Sequence, residues 1–580
     1  MNILQRKTRR AFEILRERGW RGLRQSLKLN YRKLREARKY RKWIREFDTL
    51  TGEDRREIRR KIESFSHKPL ISVILPVYNI EEKWLRLCIE SVRKQLYTNW
   101  ELCIADDCSP SPHVRKILEE YAAQDARIKV VFREKNGHIS AASNSALALA
   151  TGEFSVLLDH DDELSEHALY YVAAELNRFP ETAMIYSDED LIDPHGRRYE
   201  PKFKPDWSRD FIYSLNLITH LSAYRTEILR QIGGFKIGAE GSQDYDLALR
   251  VTERISPEQI RHIPQILYHW RAIQGSVALS GDEKPYAQER AREAIRAHLE
   301  RTGKKAQVSQ TFYNLHRVRY DLPAAVPKIS LITTTASIEK IRARTDYENF
   351  EVLTGETISG KSNAEIFNLL SAKASGEILV FLDGDFAPQN SEWLKEIAGF
   401  ALQKEIGAVG LKIFNRDETI RHAGIVLGVG GFLGFAHRGL PKNSAGYLQR
   451  AQLVNNFAAV ANVLAARREV FESLKGFDAE NFPNGLFDVD FCLRLRQHEK
   501  NLRVVLTPYA EILQLSDSST ETILNQKEAP ERENFKMRWK YLIENDPFYN
   551  PNLSLENAQF QISLPPRGEN AKRKMQNAKY

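Results

Sequence analysis

At 580 residues and 66.9 kDa, with 42% hydrophobic and 10% aromatic residues, the chain is too long for one hydrophobic core and too apolar to be disordered throughout. Its formal charge of +9 is uneven: residues 1–68 carry 23 Lys/Arg against 9 Asp/Glu, roughly +14, and the rest is mildly acidic at roughly −5, so bulk positive charge does not draw partners to the main body. No stretch is apolar for long enough to span a bilayer, 423–436 being too short and Gly-rich, and Cys88, Cys103, Cys108 and Cys492 lack zinc-ligand spacing.

The opening MNILQRKTRRAF has no apolar signal core, so a reducing cytoplasm is expected, with the cysteines as small core residues. Residues 1–68 read as basic helices in which Leu4, Phe12, Leu15, Trp20, Leu23 and Leu27 fall mostly on one side. Such a segment can lie on an anionic membrane surface, peripheral to the inner face of the cytoplasmic membrane, or pack on its own body. Nucleic acid is not an expected partner, because no aromatic platform or groove-reading motif accompanies the arginines.

Residues 69–322 change texture. Apolar strands at 70–78, 101–107, 128–132 and 154–159 alternate with helices near 82–96, 111–124, 139–150 and 165–178. That pattern predicts an α/β fold with a parallel sheet covered on both faces and a ligand at the carboxyl ends of its strands. Asp106 and Asp107 close one strand and Asp159 another, so they face one crevice. A boundary is expected at 321-DLPAAVPK-328, and a second α/β pattern runs over 327–545, with strands at 329–335, 377–385 and 406–414 and a helix near 391–404. The halves are divergent copies: ATGEFSVLLDHDD at 150–162 matches ASGEILVFLDGDF at 374–386, and each half later carries a Gly-Phe, a spacer and an Asp-x-Asp opening a Leu/Arg helix. Residues 546–580 are expected to be a disordered tail.

The run 159-DHDD-162 presents Asp159, Asp161 and Asp162 at a strand end. Carboxylates so spaced suit a hard divalent cation such as Mg2+ or Mn2+, which in turn suits a diphosphate. By itself the run could equally cap the following helix through Asp162. The larger constellation is more specific. In order, 76-PVYN-79, 106-DD-107, 136-NGHISAASNSAL-147, 159-DHDD-162, 187-SDED-190, 203-FKPDW-207, 243-QDYDLALR-250 and 268-YHWR-271 resemble glycosyltransferase family 2 enzymes of the GT-A fold, continuously over about 70–280. The resemblance is closest to a bacterial subgroup of surface-polysaccharide enzymes with two such domains in tandem.

That resemblance implies two tandem GT-A, Rossmann-like domains. It also implies inverting, metal-dependent transfer of a sugar from a UDP- or dTDP-sugar to a growing cell-surface polysaccharide or lipid-linked glycan. Pro76, Val77, Tyr78, Asn79, Asp106, Asp107, Asn136, Asp159 and His160 would hold the nucleotide sugar. Asp159, Asp161 and His269 would hold the metal, and Asp244 would be the base that takes the acceptor proton. Asp246 would cap or orient its helix. The chain departs from the family pattern at Ser143 and Gln243. Asp188, Glu189 and Asp190 read as acceptor-side groups or as surface charge. The second repeat keeps Asp383, Asp385 and Asp488 but loses the nucleotide turn, the acidic pair and the terminal histidine. These losses suggest a decayed donor site in a domain that binds acceptor glycan or buttresses the first, with a second active transferase as the other reading. Two other classes are a non-catalytic glycan-binding or assembly protein and a nucleotidyltransferase; the latter wants a Gly-rich phosphate loop that PVYNIEEKW lacks.

Overall fold

The computed structural model describes residue 31 and residues 34–568, apart from 274–284, 336–337, 357, 499–500, 517 and 527–528. Residues 1–30, which carry every residue named for the predicted apolar stripe, lie outside the described residues.

The first sheet comprises β1 (Ile71–Val77), β2 (Trp100–Asp106), β3 (Ile128–Phe132), β4 (Phe154–Leu157), β5 (Glu163–Leu164), β6 (Met184–Ile192), β7 (Arg198–Lys202), β8 (Ser222–Arg225) and β9 (Ile260–Arg271). Its order is β3-β2-β1-β4-β8-β6-β9-β5, with β7 on β6. β1 is buried along its whole length and pairs in parallel with β2 and β4, as an unbroken apolar run requires. The sheet is mixed rather than all parallel, because β8 inserts antiparallel between β4 and β6.

A hairpin of β10 (Ala306–Gln310) and β11 (His316–Tyr320) leads into the second sheet. Its strands are β12 (Ile329–Thr333), β13 (Phe350–Thr354), β14 (Ile378–Leu382), β15 (Phe386–Pro388), β16 (Ile406–Phe414), β17 (Ile420–His422), β20 (Asn455–Asn456), β21 (Val463–Arg467) and β22 (Arg503–Gln514), with a separate hairpin of β18 (Ile425–Leu427) and β19 (Leu433–Phe435). The order β13-β12-β14-β21-β16-β22-β15 repeats β2-β1-β4-β8-β6-β9-β5 strand for strand. Each parallel or antiparallel pairing is kept. Among the described residues, β3 and the helix Pro112–Gln124 before it have no counterpart: β13 passes through 355–362 directly to the helix Asn363–Lys373.

The duplication reaches single hydrogen bonds. Ser72 Oγ donates to Glu101 at 2.6 Å and accepts from Gly152 N–H; Ser330 Oγ donates to Glu351 at 2.6 Å and accepts from Gly376 N–H. Asn144 clamps both the N–H and the carbonyl of Phe235, and Asn368 does the same to Phe477. Asp246 orients Arg250 toward the carbonyls of Ile232 and Gly234, as Asp490 orients Arg494 toward those of Leu474 and Gly476.

Over residues 34–63 the basic segment packs on the body. Tyr40 and Trp43 are buried, with Trp43 edge-on to Phe203. Thr51 and Asp54 close a capping box on the helix Gly52–Glu63, and Arg55 is bidentate to Glu166 at 2.8 and 2.7 Å. Residues 546–568 correct the expected tail. Phe548, Tyr549, Leu553, Phe560 and Ile562 are buried, and Asn550 Nδ2 donates to both oxygens of Asp188 at 3.1 and 2.8 Å. The polar composition that suggested disorder begins only at 565-PPRGEN; the preceding chain carries enough apolar side chains to bury. Cys88, Cys103 and Cys492 are core residues, but Cys108 is exposed in a turn.

Candidate active site

The predicted nucleotide-holding residues converge at the carboxyl ends of β1 and β2. Asn79, in a left-handed conformation, donates its N–H to Ser109 Oγ at 2.8 Å, and Ser109 Oγ donates to Asp106 at 2.5 Å. Asp106 therefore closes a turn. Asp107 N–H bonds the Val77 carbonyl, and Asn136 Nδ2 bonds the Asp107 carbonyl at 3.2 Å. The Asp107 carboxylate accepts Arg133 Nε at 2.8 Å and Gly137 N–H at 3.0 and 3.1 Å. About four acceptor sites exist on a carboxylate, so about one remains for a ligand donor. His160 Nδ1 lies 3.2 Å from the Pro76 carbonyl, and Tyr78 is exposed at the mouth.

Behind this turn stands a carboxylate cluster. Asp159, Asp162 and His220 each place a ligand atom within 4.8 Å of the others. Asp162 is fully buried; its oxygens accept Tyr268 Oη at 2.6 Å and Arg271 N–H at 2.7 Å. Burial, then Asp161 and Asp159, pushes its carboxyl well above the usual range. Asp159 is half-buried, and among the described residues no donor reaches its carboxylate. Burial raises it, the charges of Asp161 and Asp244 add to that, and His220 opposes them. His220 stacks on Tyr268 at 4.3 Å between ring centroids, and burial lowers its pKa, which favours the neutral imidazole that can ligate a metal. Arg271 crosses under the loop, bonding the Asp161 carbonyl and pairing with Glu163.

Asp244 opens the helix Gln243–Thr252 and is raised by burial. Asn216 Nδ2 donates to its Oδ2 at 2.8 Å, while Asn216 Oδ1 accepts the N–H groups of Ile218 and Thr219. One amide thus ties Asp244 to the loop bearing His220. Gln243 bonds the Gly241 N–H at 2.8 Å, and Ser143 is buried in the helix His138–Leu149.

His269 is not brought to this cluster. The register pairs Glu189 with Tyr268 and Asp190 with His269, and neighbouring strand residues point to opposite faces. Tyr268 thus faces Asp162 and His220, while His269 Nδ1 lies 2.6 Å from Asp190 on the other face. The predicted acidic run 187-SDED-190 is not surface charge: all three carboxylates are fully buried in β6, a strand inside the sheet. Asp188 meets His262 at 2.9 Å, Glu189 accepts from Lys202, Lys204, Thr219 and the His220 N–H, and Asp190 accepts from Tyr40 and Arg198. Burial alone would raise Glu189; Lys202 and Lys204 hold it well below the usual range. Sequence reasoning missed His220, Asn216, Tyr268 and Lys204; a lone histidine in 216-NLITHLSAY-224 gives no spacing signal.

In the second repeat Asp488 occupies the position of Asp244 but is enclosed. Its oxygens accept Asn462 N–H at 2.7 Å, Val489 N–H at 2.7 Å and Thr520 Oγ1 at 3.1 Å, and burial raises it to about 6. Asp383 N–H bonds the Asn462 carbonyl, and Asp385 N–H bonds Ser516 Oγ at 3.1 Å.

The family model described as glycosyl transferase family 2 matches residues 72–233. An uncharacterized protein of Sinorhizobium fredii is 38% identical over 568 residues, covering 90% of this chain and 61% of that protein. The O-antigen biosynthesis protein RfbC of Myxococcus xanthus is 34% identical over 534 residues, covering 85% of this chain and 41% of that protein. The chain thus spans 61% and 41% of the length of these relatives. The putative colanic acid biosynthesis glycosyl transferase WcaA of Escherichia coli is 32% identical over 215 residues, which cover 35% of this chain and 73% of that protein. With the sheet order and carboxylate cluster of residues 71–271, these matches make the chain a member of glycosyl transferase family 2.

Proposed function

We propose that the first repeat transfers a sugar, with inversion, from a UDP- or dTDP-sugar to a growing cell-surface polysaccharide or lipid-linked glycan. The observation that carries this reading is the convergence of Asp159, Asp162 and His220 with Asp244 at the carboxyl end of one sheet. The names of the relatives, an O-antigen protein and a colanic acid transferase, support the surface-glycan acceptor.

The turn of Pro76, Val77, Tyr78 and Asn79, with Asp106, Asp107, Asn136 and His160, would frame the base and ribose. Asp159, Asp162 and His220 fit a divalent cation: two carboxylates whose charge is opposed by burial and one neutral imidazole, all within 4.8 Å. Asp161 stands beside them and His269 does not. When bound, Mg2+ or Mn2+ would neutralise the departing diphosphate. Asp244 would take the acceptor hydroxyl proton as that oxygen attacks the anomeric carbon and the diphosphate leaves from the opposite face. Burial raises its basicity, and Asn216 fixes its rotamer.

Calorimetry with UDP-, dTDP- and GDP-sugars, with and without Mn2+, together with turnover assays, tests the reading. Asp159→Ala should abolish metal-dependent donor binding. Asp244→Asn should keep donor binding while kcat falls by roughly 10²–10⁴-fold. Donor binding by none of these nucleotides, or full turnover in Asp244→Asn, would sink it.

A further inference from the structure

The segment 203-FKPDW-207 follows β7 and carries a buried lysine, Lys204. A buried ammonium is costly unless its protons find acceptors. Lys204 Nζ has four in reach: Glu189 Oε2 at 3.0 Å, Thr219 Oγ1 at 3.0 Å, and the carbonyls of His220 at 2.8 Å and Ile218 at 3.2 Å. An ammonium carries three donors, so these acceptors leave none for a ligand phosphate. Lys204 is spent on the chain itself. Three of the four acceptors belong to consecutive residues of the loop that brings His220 within 4.8 Å of Asp159 and Asp162. Glu189 completes the grip: its Oε2 accepts Thr219 Oγ1 at 2.7 Å and the His220 N–H at 3.2 Å. The loop runs between the helix Arg209–Ile212 and β8, outside any helix or strand, so its carbonyls depend on such partners.

Lys204 is itself pinned, mostly from outside the first repeat. Its N–H donates to Asp188 Oδ1 at 2.8 Å, and its carbonyl accepts Asn550 Nδ2 at 2.8 Å. The Phe203 N–H donates to Tyr447 Oη at 2.7 Å, and the Asp206 N–H to the Pro547 carbonyl at 2.8 Å. The Phe203 ring packs into the apolar cluster of the second repeat. One short segment therefore has its backbone fastened to the second repeat and the C-terminal segment, and its lysine fastened to the loop of His220.

We infer that Lys204 is a positioning residue for the cation site of the first repeat, and that the second repeat and the C-terminal segment hold it in that role. The inference rests on the proposed function in taking Asp159, Asp162 and His220 as the cation site. Mn2+ alone would be titrated calorimetrically into the intact chain and its variants, each below its own thermal transition. Loss of a positive charge near the cluster would by itself favour a divalent cation, so weaker binding without Lys204 reports geometry. Lys204→Met should weaken Mn2+ binding by about tenfold or more, as loss of a group that orients a metal ligand does. Thr219→Val is nearly isosteric, keeps the Lys204–Glu189 pair and should weaken binding in the same direction. Lys202 bonds the same Glu189 at 2.6 Å but no loop residue among those described, so Lys202→Met should not weaken it. Asn550→Ala and Tyr447→Phe, which release the Lys204 carbonyl and the Phe203 N–H, should weaken it by smaller factors. Parent-like Mn2+ affinity in folded Lys204→Met, or in Thr219→Val should Lys204→Met not fold, would overturn the positioning role. Equal weakening in Lys202→Met would overturn it too. Parent-like affinity in both Asn550→Ala and Tyr447→Phe would overturn the part given to the second repeat. A parent chain that binds no Mn2+, or that keeps it in Asp159→Ala, would instead remove the proposed cation site and this inference with it.

Discussion

Asp162 has both oxygens hydrogen-bonded and Asp159, among the described residues, has neither, although three positions separate them. The first is thus held in place by the fold and the second is open, and both offer a ligand oxygen to the cluster. His220 and His269 differ in the same way, by the face of the sheet they occupy. His220→Ala is therefore expected to weaken Mn2+ binding by about tenfold or more, read by calorimetric titration, with the fold intact. His269→Ala should leave Mn2+ affinity within about twofold but lower unfolding free energy in urea by roughly 1–3 kcal/mol, because it strips a partner from buried Asp190. The reverse pattern would reinstate His269 at the metal. That Asp107, Asp159, Asp161 and Asp244 lie near strand or helix ends was legible, because residue type and order suffice there. The histidine was not, because its role depends on side-chain parity, and register shifts at Ser187/Asp188 and Asp188/Glu189 set that parity in a way one sequence does not reveal.

At the scale of elements, the first strand of each repeat is locked to the turn before the inner strand it pairs with, β1 to the turn before β4 and β12 to the turn before β14. A Cβ on Gly152 would lie 2.6 Å from the Leu70 carbonyl oxygen, and one on Gly376 2.5 Å from the Ser330 nitrogen. Gly152→Ala and Gly376→Ala are each expected to cost about 1–3 kcal/mol in urea unfolding, as overpacking against rigid backbone does. The matching ATGE and ASGE letters made the duplication visible, and this close approach is their physical reason. Glu101 completes the lock. Burial works to raise it, but Lys129, Ser72 and Thr151 hold it at about 2. A carboxyl depressed in the folded state stabilises above its unfolded pKa of roughly 4.3 and loses that contribution as pH falls through the folded value. The contribution is roughly 3 kcal/mol at neutral pH. Glu101→Gln should thus be less stable than the parent by about that much at pH 7, with the gap shrinking at pH 3; an equal gap at both would exclude the linkage. The loss of β3 in the second repeat was half legible, as a missing acidic pair after 350-FEVL-353; that a whole strand and helix are gone needed the sheet order.

Across the whole molecule the repeats are joined by buried polar contacts. Arg503 of β22 is bidentate to Asp210 at 2.8 and 3.2 Å, and Asn456 bonds Asp210 and Ser208. Removing one partner of such a pair leaves an uncompensated charge, so Asp210→Ala should cost about 3–5 kcal/mol. Calorimetry should show it as a lowered transition, or as two transitions where the parent shows one; an unchanged scan would mean that the interface carries little stability. From composition the polar end of the chain is expected to be a disordered tail, and packing on the body is one of two readings of the basic start. In the described parts they are wedges: Tyr40 and Asp48 reach Asp190 and Arg198, and Asn550 reaches Asp188.

The three consecutive carboxylates of β6 therefore serve three clients: Asp188 the C-terminal segment, Glu189 the loop carrying His220, and Asp190 the N-terminal segment. This bears on modular exchange. Swapping the first repeat for that of a relative to change sugar choice moves Asp188 and Asp190 and leaves Asn550 and Tyr40 behind, while Glu189 travels with its partners. A chimera cut at residues 69 and 322 should inherit up to two buried acids, Asp188 and Asp190, each short of a partner, whereas one carrying 34–63 and 546–568 along with the donor half keeps both satisfied.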